Sequence, residues 1–123
     1  MRSHEIQQVF LNILNNAYHG LKQKSLEYSG VRFLNIKCEI NEAEDQNFIR
    51  TIFHDSGTGI PKNILNKVFD PFFTTKPPGK GTGLGLSISH GIVDNHKGKF
   101  ILDTEEGKYT KVMVDLPMHA AQS

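Results

Sequence analysis

The chain has 123 residues, enough for one domain spanning 1–123 around a single core and not for two. Hydrophobic residues are 37% of the total, charged residues 22% and the formal net charge is +1, so no bulk field draws the protein to nucleic acid or an anionic membrane, and any phosphate site must be local. One cysteine, Cys38, excludes a disulfide framework and a cysteine-rich metal centre, and no apolar run approaches the ~20 residues a membrane helix requires.

Met1-Arg2-Ser3 carries no apolar secretory segment, and the chain enters a helical pattern at once, as a piece of a longer protein would. Ile6, Val9, Phe10, Ile13, Leu14, Ala17 and Leu21 recur at helical spacing and predict a helix from His4 to about Tyr28, stopped by Ser29-Gly30. Leu34, Ile36, Cys38 and Ile40 alternate with polar residues, which predicts a half-buried strand with Cys38 as a small apolar side chain. A polar turn leads to a second strand from Phe48 to Asp55, so the two should form an antiparallel hairpin. Pro61 suits the first turn of a short helix reaching about Val68. The segment from Asp70 to Gly83, rich in proline and glycine, reads as a loop. Leu84 to about Asn95 reads as a third helix with Gly98 as its stop, and Lys99–Thr104 and Lys111–Leu116 as two closing strands. This order predicts an α+β two-layer sandwich, with helices on one face of a mixed, mostly antiparallel sheet.

Three segments carry chemistry. On the first helix, at ~100° per residue, Glu5, Gln8, Asn12, Asn16, His19 and Gln23 fall in one narrow sector. A solvated helix face usually carries Lys and Glu, whereas amides can place a neutral oxygen on a hard cation such as Mg²⁺. A surface face that happens to be rich in amides fits equally well. The second segment is Asp55-Ser56-Gly57-Thr58-Gly59-Ile60, at a strand end. Its carboxylate can accept a hydrogen bond from the exocyclic amine of adenine and would repel the carbonyl of guanine, while a plain turn accounts for the same residues. The third, Gly79-Lys80-Gly81-Thr82-Gly83-Leu84-Gly85-Leu86, runs into a helix and offers backbone N–H groups and a helix N-terminus to a phosphate. It has neither the P-loop ending nor the glycine spacing of a dinucleotide fold, and alone it is also a plausible flexible loop.

Taken in order, these segments resemble the ATPase fold shared by gyrase, the heat-shock chaperone, histidine kinases and mismatch-repair proteins, and in particular the catalytic domain of a bacterial sensor histidine kinase. Ile6 to Ala17 resembles the kinase N box, Asp55 to Gly59 the first glycine box, Val68 to Lys76 the phenylalanine box and Gly81 to Leu86 the second glycine box, while Val112 to Pro117 resembles the last strand. The short Phe72-Phe73-Thr74-Thr75-Lys76 string is similar to the nitrogen-regulation subtype. The resemblance implies ATP and Mg²⁺ as ligands. Asn16 would bind the metal that bridges the phosphates, with Asn12 one turn earlier near metal and γ-phosphate as the catalytic pair. His19 stands where the family often has Lys or Arg. Asp55 would accept from the adenine amine with Gly57, Gly59 and Ile60 beside the base, and Thr110 would reach adenine through water. Phe69 belongs to the phenylalanine box. Lys76 and Lys80 would lie in a lid over the triphosphate, and Gly81, Thr82, Gly83, Leu84, Gly85 and Leu86 would wrap it.

The hydrolytic relatives carry a glutamate at the position of Asn12 to activate water, and an amide is no general base at neutral pH. The residue therefore favours phosphoryl transfer over hydrolysis. The implied acceptor is a histidine on a separate dimerisation domain of the same protein, with a response regulator downstream. His4-Glu5 is not that acceptor, because Gln7-Gln8-Val9 runs directly into the N box where the acceptor motif has a proline. The resemblance further implies a cytoplasmic domain that begins earlier than Met1, so that an early strand would be absent and a sheet edge left open. A serine kinase of the anti-sigma type, or a pseudokinase serving as an interaction module, would fit the same fold.

Overall fold

The computed structural model describes residues 3–27, 32–42, 46–65, 67–70 and 85–118. The elements run α1 (Ser3–Glu27), β1 (Leu34–Glu42), β2 (Asn47–Asp55), α2 (Lys62–Leu65), α3 (Gly85–Asn95), β3 (Lys99–Glu105) and β4 (Tyr109–Pro117). The described strands form one sheet in the order β1-β2-β4-β3, and all three pairings are antiparallel. The expected β1–β2 hairpin is present, the two closing strands β3 and β4 form a second, and β4 inserts between β2 and β3.

Register decides which side chains share a face. Phe53 pairs with Val112, Thr51 with Val114 and Ile49 with Leu116, while Phe100 and Leu102 of β3 pair with Val114 and Val112. This face meets Ile6, Val9 and Ile13 of α1 and Val93 of α3 in one core cluster, with Phe10, Leu14 and Ile92 packed at its margin. Phe10 and Phe53 meet edge to face with centroids 5.4 Å apart. Each such side chain taken fully out of water stabilises the fold by ~1.5–3 kcal/mol, which is what holds two helices on a sheet of four strands. No described helix is long and apolar enough to cross a membrane.

β1 departs from expectation. Its apolar row of Ile36, Cys38 and Ile40 pairs with Phe53, Thr51 and Ile49 and so lies on the helix side, yet Ile36 is 55% and Ile40 62% exposed and Cys38 is exposed too. The helices lie over β2, β4 and β3, and β1 packs chiefly on β2. The strand is therefore an uncovered edge among the described residues rather than a half-buried one.

The end of α3 also differs in detail. The Lys97 N–H donates to the Asp94 carbonyl and the Gly98 N–H to the Val93 carbonyl, each at 2.9 Å, which is a Schellman cap. The residue in the left-handed conformation is Lys97, with φ 62°, and not Gly98. Gly98 is needed for a different reason: a Cβ there would overlap the backbone carbonyl oxygen of Asp115 on β4. Lys97→Gly is expected to raise stability by ~0.5–1 kcal/mol by removing the left-handed penalty, whereas Gly98→Ala should lower it by about 1–3 kcal/mol through overpacking. Thermal or urea unfolding of the two variants reads the opposite signs directly.

Candidate functional site

α1 and α3 run antiparallel in register. Glu5 Oε1 lies 3.0 Å from His96 Nε2, and seven residues on, Asn12 Nδ2 donates to Ser89 Oγ at 3.2 Å. Both helices advance ~1.5 Å per residue, so the next turn carries Asn16 to the level of Gly85, the first residue of α3. The middle of the amide stripe thus lies along the crevice between the two helices and is half-buried. Asn12 and Asn16 are half-buried, while Gln8 and His19 are exposed at its rim. The His19 ring packs edge-on against Tyr18.

α1 also meets the loop after β2. A Cβ on Gly57 would press within 2.9 Å of the Gly20 carbonyl carbon and 2.7 Å of Asp55 Oδ1, so the close approach of helix, loop and carboxylate requires a glycine there. Gly20 follows Asn16 by one turn, which ties the amide stripe to the loop. Asp55 is only 6% exposed, and its Oδ1 accepts the Gly57 N–H at 2.8 Å, an Asx turn that fixes the carboxylate plane. Gly59 adopts φ 69°, and a Cβ there would overlap the Glu105 carbonyl oxygen, so both conformation and space exclude a larger residue. The loop is further pinned by the Gly107 N–H donating to the Thr58 carbonyl at 2.6 Å.

Thr110 is the direct cross-strand partner of Asp55 and shares its face. Its hydroxyl lies 3.1 Å from that of Thr104, whose Oγ1 also accepts the Ile60 N–H at 3.0 Å. Thr104 was not singled out by sequence reasoning, although alternation along β3 puts it on the helix face after Phe100 and Leu102. Ser56 was missed as well: its Oγ accepts the Phe33 N–H at 2.8 Å and holds the start of the loop to β1.

Asn12, Asn16, Asp55, Gly57, Gly59, Ile60 and Thr110 therefore surround one end of the helix–sheet sandwich, at the C-terminal end of β2 and the N-terminal end of α3. Gly85 begins α3 and Leu86 is half-buried in its first turn. Phe69 is not brought to Asp55. Its ring packs against His90 at 4.8 Å and Phe100 at 5.6 Å, towards the Lys99 end of the sheet, opposite the Asp55 end. Lys76, Lys80, Gly81, Thr82, Gly83 and Leu84 lie outside the described residues.

The donor set fits a nucleotide bound with magnesium. No group of three or more His, Cys, Asp or Glu side chains able to hold a metal occurs among the described residues. Mg²⁺ needs no such cage, because it retains waters and is commonly held through substrate phosphates and one or two protein oxygens. Amide oxygens on α1 beside the start of α3 could supply neutral ligands of that kind, and the helix N-terminus would favour phosphates electrostatically.

The fold is that of histidine kinase catalytic domains. The chain superimposes on the catalytic domain of the histidine kinase ThkA with a TM-score of 0.70 and 31% identity, covering 94% of this chain and 69% of that one. On the mycobacterial sensor histidine kinase MprB the TM-score is 0.72 at 23% identity, which speaks for the fold alone. The chain belongs to the histidine kinase-, DNA gyrase B- and HSP90-like ATPases, whose pattern it matches over residues 1–120. It is 36% identical over 116 residues to the two-component sensor PprA of Pseudomonas aeruginosa and 36% identical over 114 residues to sporulation kinase E of Bacillus subtilis. These alignments take in 94% and 93% of this chain but 12% and 14% of those proteins.

Proposed function

We propose that this domain binds ATP with Mg²⁺ and presents the γ-phosphate to a histidine on a separate dimerisation domain of its own protein, as the nucleotide-binding half of a cytoplasmic two-component sensor kinase. The observation that carries the reading is the convergence of the amide stripe, the Asp55 loop and the start of α3 at one end of the sandwich.

Each side chain has a role. Asp55 accepts from the exocyclic amine of adenine, and Gly57 and Gly59 let the base approach the backbone. Thr110, braced by Thr104, orients water at the other edge of the base. Asn16 would turn its amide oxygen toward magnesium, which when bound would neutralise charge on the phosphates, and Asn12 stands one turn earlier near the metal and γ-phosphate. His19 stands at the mouth, within reach of an anion, and Lys76, Lys80 and Gly81–Leu84, outside the described residues, are assigned to the triphosphate on the resemblance alone. In phosphoryl transfer the protein supplies chiefly positioning and charge neutralisation. With Asn12 in place of a glutamate, water is not activated, so the isolated domain should bind ATP and turn it over very slowly. A response regulator downstream completes the reading, and the 32–36% identity to sensor kinases supports a histidine acceptor over a serine one.

Calorimetric titration of the domain tests this directly. ATP is expected to bind in the micromolar range with Mg²⁺, at least tenfold more weakly without it, and GTP at least tenfold more weakly than ATP, a step of ~1.4 kcal/mol in each case. Equal affinity for GTP and ATP, or no binding of ATP, defeats the proposal.

A further inference from the structure

Ser89 is fully buried on α3, with 0% exposure, and its hydroxyl oxygen receives the Asn12 amide N–H at 3.2 Å across 77 residues of sequence. Its surroundings are otherwise apolar: Val93 and Ile92 lie beyond it on the same helix, and Val9 and Ile13 flank Asn12 on α1. Nothing local favours a serine there. Alanine is the better helix former, and burying a hydroxyl costs free energy unless it is hydrogen-bonded. The bond to Asn12 is what the hydroxyl gains.

That bond has a direction. In the structure the amide nitrogen donates and the serine oxygen accepts. The amide therefore presents NH₂ and not oxygen to α3. The two ends of an asparagine amide are nearly identical in shape and opposite in polarity. Fixing NH₂ on Ser89 therefore turns Oδ1 toward the crevice side of α1, the orientation a cation requires. An amide turned the other way would offer donors to a metal and repel it.

We propose that Ser89 is a positioning residue that sets the polarity of the Asn12 amide and so preorganises its oxygen for the metal–phosphate site before nucleotide arrives. The proposal rests on the assignment of Asn12 to the metal–phosphate site. It assigns the start of α3 a second task beside offering its N-terminus to phosphate: one turn further on, it locks a residue of α1.

The quantity to measure is the magnesium enhancement, the ratio of ATP dissociation constants without and with Mg²⁺, by calorimetry on the domain. Ser89→Ala is expected to reduce it by about three- to tenfold, the weight of one net hydrogen bond, while affinity for ATP without Mg²⁺ and the Tm stay close to the parent. Ser89→Cys, which keeps the size but is a weak acceptor, should lose an intermediate amount, and it serves as the deciding variant if the alanine protein fails to fold. In an Asn12→Ala background, Ser89→Ala should have no further effect, because the residue acts only through the amide. An unchanged enhancement in Ser89→Ala overturns the proposal. So does a further loss on top of Asn12→Ala, and so does an equal fall in affinity with and without Mg²⁺, which would mark a merely structural role. If Asn12→Ala alone leaves the enhancement intact, the assignment of Asn12 falls and this proposal falls with it. If Asn12→Ala abolishes the enhancement and Ser89→Ala does not touch it, only the role of Ser89 is lost.

Discussion

Arg50→Met is expected to cost about 3 kcal/mol of folding stability, the largest effect of any single change outside the apolar core. Arg50 on β2 and Asp115 on β4 are directly opposite, on the sheet face away from the helices. The guanidinium grips the carboxylate with both arms, Nε to Oδ1 at 2.7 Å and Nη2 to Oδ2 at 2.9 Å. The hydrogen bond to Asp115 is the main cause holding the Arg50 pKa above its ordinary value. A cation whose folded pKa is raised contributes stability below its unfolded pKa, so this contribution is present across the whole neutral range. Asp115 is 1% exposed and Arg50 is not, so the two halves are unequal. Removing the arginine strands a buried carboxylate, with Asn41 Nδ2 of β1 at 3.4 Å as its remaining hydrogen-bond donor among the described residues, and breaking such a pair from one side costs roughly 3–5 kcal/mol. Lys99, the β3 partner of Asp115, can lend part of its charge, which places the expectation at the low end. Arg50→Met combined with Asp115→Leu should recover most of the loss. Urea unfolding of the single and double variants checks this, and a double variant no more stable than Arg50→Met contradicts it.

This pair was invisible in the sequence for a definite reason. Val112, Val114 and Leu116 alternate, so Asp115 reads as a solvent-facing residue, and nothing local indicates that an arginine 65 positions earlier covers it. Periodicity reports a residue's face and not what lies against that face. The same limit explains β1, where Ile36, Cys38 and Ile40 alternate as in a half-buried strand although the helices stop short of them. It also explains Ser89 and Thr104, polar residues inside apolar patterns whose partners belong to other elements. What the pattern did carry was the elements themselves. α1 was expected from His4 to about Tyr28 and spans Ser3–Glu27, and α3 was expected from Leu84 and begins at Gly85. Asp55, Gly57 and Gly59 were legible as a loop because turn chemistry is local: an Asx turn and a left-handed backbone are each written in one or two residues.

The Asp55 turn also fixes what a substitution there will do to the purine. Asp55→Asn is expected to weaken ATP by about 10- to 150-fold, the range for loss of a hydrogen bond to a charged acceptor. The polarity of the new amide is not arbitrary. Asp55 Oδ1 accepts the Gly57 N–H, and an asparagine must keep its oxygen there or bury that N–H unpaired. Its NH₂ would then be turned to where, on the proposed reading, the adenine amine is received, setting donor against donor. A purine with a carbonyl in place of that amine meets the opposite situation, because the carboxylate repels it and the amide would donate to it. ITP and GTP should accordingly lose less than ATP on this substitution, or gain, so that the preference for adenine narrows or inverts. Competition of ATP, ITP and GTP against a fluorescent nucleotide, in the parent domain and in Asp55→Asn, reads the ratio directly. A variant that weakens all three equally has lost the loop and not the acceptor, and one that leaves ATP unchanged removes Asp55 from the base site altogether.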